Sequence, residues 1–180
     1  MLPIIDKTWT LFIDRDGVIN HEKKEDYILN WKEFKFYDTV TAAMKILSEM
    51  FGVIVMVTNQ RGVGKQLMTR DDLHNIHSNM LHTIRAVGGR IDKIYFCDSM
   101  DNNHPARKPN PGMAFRAKAD FPAINLSKSI MVGNKHSDML FGKNAGMYTV
   151  FVATTNPEVP FPHPDIDLRY SSLAGFVKAL

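Results

Sequence analysis

Two kinds of hydrophobic pattern alternate along this chain, and that alternation limits its fold more than any other feature. Val53-Ile54-Val55-Met56-Val57 is an unbroken, mostly β-branched run, the pattern of a strand covered on both faces. Before it, Val40, Ala43, Met44, Leu47 and Met50 recur at three- and four-residue spacing, which predicts an amphipathic helix over residues 38–50 that Gly52 would stop. Residues 10–13 predict a shorter strand ending in Asp14. Thr69, with Asp72 three residues on, reads as a capped helix start, and Leu73, Ile76, Met80, Ile84 and Val87 give that helix its apolar face up to Gly88-Gly89. Strands follow at 91–97, 129–132 and 148–153, and helices at 113–120, 137–145 and 171–180, with Ser137 as an N-cap. Strands separated by helices predict a doubly wound α/β fold, a parallel sheet with helices on both faces. The proline-rich stretch 156–164 reads as a surface loop, and one domain is expected over residues 1–180.

Composition narrows the function. The chain has 180 residues, 44% hydrophobic and 23% charged, as an ordinary globular protein does. No apolar run approaches the ~20 residues of a membrane span. The N-terminus, Met1-Leu2-Pro3-Ile4-Ile5-Asp6, lacks the basic and apolar regions of a secretory signal. A lone cysteine, Cys97, excludes an intramolecular disulfide and suits a reducing cytoplasm. The 22 basic and 19 acidic residues are scattered apart from Lys23-Lys24 and Arg107-Lys108. Nucleic acid, which calls for a basic stripe with aromatics, is therefore not the expected partner. A small anion is compatible, and the sequence holds no signal for oligomeric state.

In an open parallel sheet, ligands bind beyond the carboxyl ends of the strands. The residues expected there are Asp14-Arg15-Asp16-Gly17, Thr58-Asn59-Gln60, Arg107-Lys108 and Asn134-Lys135 with Asp138. Two close carboxylates, Asp14 and Asp16, suit a hard cation such as Mg²⁺. One carboxylate can attack phosphorus while the other serves the leaving oxygen as acid. Gly17 permits a sharp turn that offers amides to a phosphate. Thr58 and Lys108 can spread over phosphoryl oxygens. Gly62-Val63-Gly64-Lys65 fails as a phosphate-binding loop, because Asn59 and Gln66 stand where that loop needs glycine and a hydroxyl residue. His74, His77 and His82, mostly off the apolar helix face, read as solvated, and His136-Ser137-Asp138 are too close in sequence to be assumed a triad.

Four stretches in this order resemble the motifs of the haloacid-dehalogenase superfamily of phosphohydrolases: Phe12 to Asn20, Val57 to Gln60, Arg107 to Gly112, and Met131 to Asp138. Their Asp-Arg-Asp-Gly, Thr-Asn-Gln and Arg-Lys-Pro forms resemble the subgroup of heptose 1,7-bisphosphate and histidinol-phosphate phosphatases, over residues 10–153. The resemblance implies no large cap domain, Asp14 as a nucleophile that becomes an aspartyl-phosphate, and Asp16 as acid and then base. It implies Thr58 and Lys108 on the transferring phosphoryl group, and Arg107 on a second phosphate or a sugar hydroxyl. Arg15, Gly17, Asn59, Gln60 and Lys135 are the further expected substrate contacts, and residues 22–25 are expected to help close the site. It also implies Mg²⁺ held by Asp14, the Asp16 carbonyl and the fourth motif, here Asn134 and Asp138.

Two departures stand out. Asn134 occupies a place where the family has aspartate, which removes one negative charge that Asp138 could restore. The zinc loop of many relatives needs three cysteines and a histidine, whereas only Cys97 and His104 are present, so no zinc is expected. The expected activity is Mg²⁺-dependent hydrolysis of a small phosphorylated metabolite, foremost heptose 1,7-bisphosphate. Histidinol phosphate is the alternative substrate, and a phosphate-binding protein without turnover is the alternative of another class.

Overall fold

The computed structural model describes residues 3–180, so the expectation about a leader, which rests partly on Met1 and Leu2, lies outside the described residues. The strands are β1 (Thr10–Ile13), β2 (Val53–Asn59), β3 (Lys93–Cys97), β4 (Ser129–Gly133), β5 (Tyr148–Val152) and β6 (Leu168–Tyr170). They form one parallel sheet in the order β3-β2-β1-β4-β5-β6. The helices are α1 (Val40–Met50), α2 (Arg61–Gly64), α3 (Arg70–Ala86), α4 (Gly112–Asp120), α5 (His136–Ala145) and α6 (Leu173–Val177).

Alternation along the strands decides which helix lies where. Leu11, Ile13, Ile54, Met56, Ile130, Val132, Val150 and Val152 face α1, α3 and α6, packing on Met44, Leu47, Ile76, Met80 and Phe176. Phe12, Val55, Val57 and Met131 point the other way, onto Met113, Ala114 and Ala117 of α4 and Phe141 of α5. Both faces are covered, as the continuous apolar run in β2 required. Among the described residues no helix is long and apolar enough to cross a membrane.

Several boundaries differ from expectation. The second strand continues through Thr58 and Asn59, which pair with Phe96 and Cys97, so these polar residues lie on β2 rather than after it. The glycine-containing stretch after Gln60 makes the short helix α2. Helix α3 carries the expected Thr69–Asp72 capping box. Ser137 does not cap α5: that helix starts one residue earlier, behind Lys135. The closing helix is only Leu173–Val177, capped by Ser172. Strand β6 had no sequence signal, because three half-buried residues are too few to show a period.

The first connection leads from β1 through α1 to β2, and the second half of the chain departs from the other side of β1 to β4. The strand order therefore reverses beside β1, and the crevice beyond the carboxyl ends of β1 and β4 is where a ligand site is expected. Neighbouring residues of α1 offer a test of the packing. Leu47→Ala, at a fully buried position, is expected to lower unfolding free energy by about 2–5 kcal/mol. Ile46→Ala, at a position 44% exposed, is expected to change it by less than about 0.5 kcal/mol. Equilibrium urea unfolding compares them.

Candidate active site

A cleft of about 750 Å³ opens at the β1/β4 reversal. Asp14 and Asp16 line it with Thr58, Asn59, Arg107, Lys108, Lys135 and Asp138, so residues from all four motifs meet there. The segment Glu22 to Tyr27 forms a further wall, and Arg61, Thr155 and Asn156 complete it.

At its floor Lys108 is buried, and its ammonium makes three contacts. Nζ lies 2.9 Å from Asp14 Oδ1 and 2.7 Å from Asp138 Oδ1, and it donates to the Val57 carbonyl at 2.9 Å. Burial opposes the lysine's charge, but Asp138 and Asp14 outweigh it and raise the pKa above the ordinary lysine range. Asp14 is left with too little compensation. Burial pushes its carboxyl up, Lys108 opposes, Asp138 and Asp16 reinforce, and the result is about 7.

Asp138 holds its neighbours in place. Its Oδ2 accepts from the backbone N–H groups of Asn134 and Lys135 at 3.1 and 3.0 Å, and Oδ1 holds Lys108. Gly133 lies directly against this carboxylate, where any Cβ would collide with it. Asp138 thus positions Lys108 and the α5 terminus, and its Oδ1, buried at the cleft lining with no hydrogen-bond donor beyond that ion pair, is a further oxygen that could serve a metal.

Asn134 is fully buried. Its Nδ2 donates to Thr155 Oγ1 at 2.7 Å and Glu22 Oε1 at 3.2 Å, whereas its Oδ1 is buried without a donor. An unpaired carbonyl oxygen, a buried carboxylate at Asp14 and the nearby Asp16 form a set of hard oxygen donors. That set fits Mg²⁺.

Asp16 sits in a different field. Arg15 grips it through two N–H···O bonds of 2.9 and 3.0 Å; Asn20 Nδ2 and Gln60 Nε2 each donate at 2.9 Å. Burial alone would raise its pKa, but the Arg15 charge and the bonds from Asn20, Arg15 and Gln60 prevail, holding the carboxyl below its usual range. Asp16 is an ionised base at rest.

Three expected substrate contacts are corrected by this arrangement. Arg15 is fully buried, with Nη1 donating to His77 Nε2 at 3.2 Å, so it cannot meet a ligand. Gly17, at φ +85°, spends its N–H on the Asn20 carbonyl at 2.8 Å, and its carbonyl accepts from Thr154. Gln60 is buried and holds Asp16 and Thr58. These three position other groups. Asn59 lines the cleft; its amide exchanges two 3.1 Å bonds with the Lys108 backbone and keeps one N–H free. Lys135 does line the cleft, with Nζ 2.7 Å from Glu22 Oε2.

His77 is also corrected. It is buried rather than solvated, and burial together with Arg15 lowers its pKa to about 3, which keeps the ring neutral as the acceptor Arg15 needs. The apolar periodicity of α3 gave no hint, because only tertiary packing puts Arg15 opposite it. Arg61 carries no signal in the sequence: it opens the four-residue helix α2, and only the fold brings it to the cleft.

Two predictions follow from these charges. Without divalent metal, Asp14→Asn is expected to raise the thermal midpoint by relieving the buried carboxylate pair. A carboxyl raised from 3.8 to about 7 favours the folded state while protonated, and that contribution is lost as pH rises through the interval. The gain from Asp14→Asn should therefore grow between those pH values and then level, as melts in EDTA would record. His77→Leu leaves an Arg15 N–H buried and unpaired, and is expected to cost about 1–3 kcal/mol in urea unfolding.

A model of HAD-hydrolase-like proteins matches residues 105–159. The D-glycero-alpha-D-manno-heptose-1,7-bisphosphate 7-phosphatase of Burkholderia mallei is 33% identical over 158 residues, covering 81% of this chain and 80% of its own length. The enzyme of the same name from Mycobacterium tuberculosis is 36% identical over 137 residues, covering 76% and 72%. A D-glycero-beta-D-manno-heptose-1,7-bisphosphate 7-phosphatase of Helicobacter pylori is 31% identical over 161 residues, covering 88% and 90%. In fold, the chain is similar to the D,D-heptose 1,7-bisphosphate phosphatase from B. bronchiseptica complexed with magnesium and phosphate, at a TM-score of 0.86 and 24% identity over 95% and 97% of the two chains. With a third of its residues shared across four-fifths of both chains, this protein belongs to the haloacid-dehalogenase-like phosphatases, in the branch of the heptose 1,7-bisphosphate 7-phosphatases.

Proposed function

We propose that this phosphatase removes the 7-phosphate from a D-glycero-D-manno-heptose 1,7-bisphosphate, with Mg²⁺, through an aspartyl-phosphate on Asp14. The observation that carries the chemistry is the buried Asp14 carboxylate at the head of the cleft, 2.9 Å from Lys108 Nζ. The relatives' activity supplies the sugar. Asp14 Oδ attacks phosphorus, and the bond from phosphorus to the sugar oxygen breaks. Lys108 and Thr58 offer a charge and a hydroxyl to the phosphoryl oxygens. Asp14, the Asp16 carbonyl and the unpaired Asn134 Oδ1 would hold Mg²⁺, which supplies positive charge for the phosphoryl oxygens and for the carboxylates around it.

Asp16 has two duties. The leaving sugar oxygen needs a proton, and Asp16 is ionised at rest, so it must first acquire one. A phosphate dianion arriving beside it raises its pKa and supports that uptake. After protonating the leaving oxygen, Asp16 is again a carboxylate. It then takes a proton from the water that attacks the aspartyl-phosphate. The lowered resting pKa suits this second step directly.

Two guanidinium groups at the cleft wall support a substrate with a second anion. Arg107 Nη1 and Arg61 Nε are both buried with no partner, and the two groups are close enough that Arg61 lowers the Arg107 pKa, after burial as the larger cause. A phosphate can accept from both. The compartment proposed is the cytoplasm, where the lone Cys97 stays reduced.

Phosphate release from both C1 anomers of heptose 1,7-bisphosphate, from histidinol phosphate and from an aryl phosphate tests the reading. The bisphosphate is expected to have the highest kcat/KM, EDTA to abolish turnover, and Asp14→Asn to lower kcat by at least about 10³-fold. Arg61→Ala should raise KM for the bisphosphate and leave the aryl phosphate unchanged. Preference for histidinol phosphate would overturn the sugar assignment, and full activity in Asp14→Asn would overturn the mechanism.

A further inference from the structure

A second constellation lies outside the cleft, where the turn before β6 meets the first residue of α5. One ligand atom each from His136, His163 and Asp165 lie within 4.8 Å of one another. His136 Nε2 is 2.9 Å from Asp165 Oδ2, and His163 Nδ1 is 3.9 Å from the same oxygen. The two imidazole rings meet edge to face, with centroids 5.4 Å apart. His163 and Asp165 are three-quarters covered, while His136 is 57% exposed, so one side of the group faces solvent.

The frame that presents these groups is well anchored. Ile166, next to Asp165, is buried against Met139 of α5 and Phe151 of β5. The Ile166 N–H donates to the His163 carbonyl at 3.1 Å. Thr149 Oγ1 donates to the Asp165 carbonyl at 2.8 Å. Asp167 then holds Lys143 of α5 at 2.6 Å and accepts from the Thr149 N–H at 2.8 Å. Both sides of the constellation are fixed to the same pair of elements, so the three ligand atoms meet without a large loop rearrangement.

We propose that His136, His163 and Asp165 bind a zinc-class divalent cation at a site separate from the catalytic cleft. Two imidazole nitrogens and one carboxylate oxygen suit Zn²⁺ or Co²⁺, whereas Mg²⁺ takes oxygen ligands. Solvent on the open side supplies water as the fourth ligand of a tetrahedron. The His163 Nδ1 lone pair now accepts from the Asp165 N–H at 3.2 Å, a long bond that the cation replaces. His136 binds as the Nδ1–H tautomer, the proton that Nε2 shares with Asp165 moving to Nδ1 so that Nε2 presents its lone pair to the cation. No redox change is involved.

The consequence is a staple between α5 and the loop after β5. That loop supplies Thr154 to the Gly17 carbonyl, Thr155 to Asn134 Nδ2 and Asn156 Nδ2 to the Asn134 carbonyl. A cation held by His136 and His163 ties the far end of that loop to the start of α5, two residues from Asn134. The site thus acts on stability and on the order of the loop, not on the reacting phosphate.

The test is a Co²⁺ titration of the whole chain with Mg²⁺ in large excess to occupy the cleft, followed by visible absorption. The expected result is one equivalent of Co²⁺ with the intense d–d bands of a tetrahedral site. His136→Ala and His163→Ala should each weaken binding at least about tenfold. Zn²⁺ should raise the thermal midpoint of the parent protein but of neither variant. Both variants should keep the parent midpoint in EDTA and the parent rate of aryl phosphate hydrolysis; should either unfold, His163→Gln replaces it. Absence of tetrahedral bands, or equal Co²⁺ affinity in parent and variants, would overturn the site.

Discussion

The ammonium of Lys108 is the point on which the site is built. A lysine has three N–H donors, and here they meet Asp14 of the β1 end, Asp138 of α5 and the Val57 carbonyl of β2. Removing the charge would leave two buried carboxylates facing each other, a far larger penalty than losing a surface ion pair. The same contact unites three chain segments distant in sequence. The site therefore exists only where those three segments meet.

Beside that cluster, the two aspartates of the first motif are given opposite characters by their surroundings. Asp14 is buried with a shared cation and another carboxylate, so its pKa climbs to about 7. Asp16, two residues on, is gripped by Arg15 and by two side-chain amides, so its pKa falls. A carboxyl that a cation must neutralise and one already ionised are thereby set next to each other, a pairing that suits the proposed nucleophile and base. Behind Asp16, a neutral His77 keeps Arg15 in place. The chain Asp16–Arg15–His77 ties the reactive turn to α3.

Much of this was legible beforehand, and the misses have a common cause. Periodicity located the five longer strands and the helices other than the four-residue α2, because burial on both faces of a sheet leaves an apolar signature that needs no partner to be recognised. The three-residue β6 is too short to carry one. The motifs marked Asp14, Asp16, Thr58 and Lys108, and all four line the cleft. What sequence could not tell was which polar residues face the ligand. Arg15, Gly17 and Gln60 stand beside the motif aspartates, yet each spends its hydrogen-bonding groups on protein. Asp138 carries a structural duty that its sequence position did not reveal, pairing with Lys108 and accepting from two backbone amides.

The sequence by itself determined the order of strands and helices, the carboxylates and cations at the strand ends, and the family. These are local properties: spacing, side-chain type and turn chemistry. The tertiary structure alone decided protonation states, the division between groups that face the cleft and groups that hold them, and the meeting of His136 with His163 and Asp165. Each of these depends on which distant residue becomes a neighbour and how much water is excluded between them. Coulomb interactions and desolvation act through space rather than along the chain.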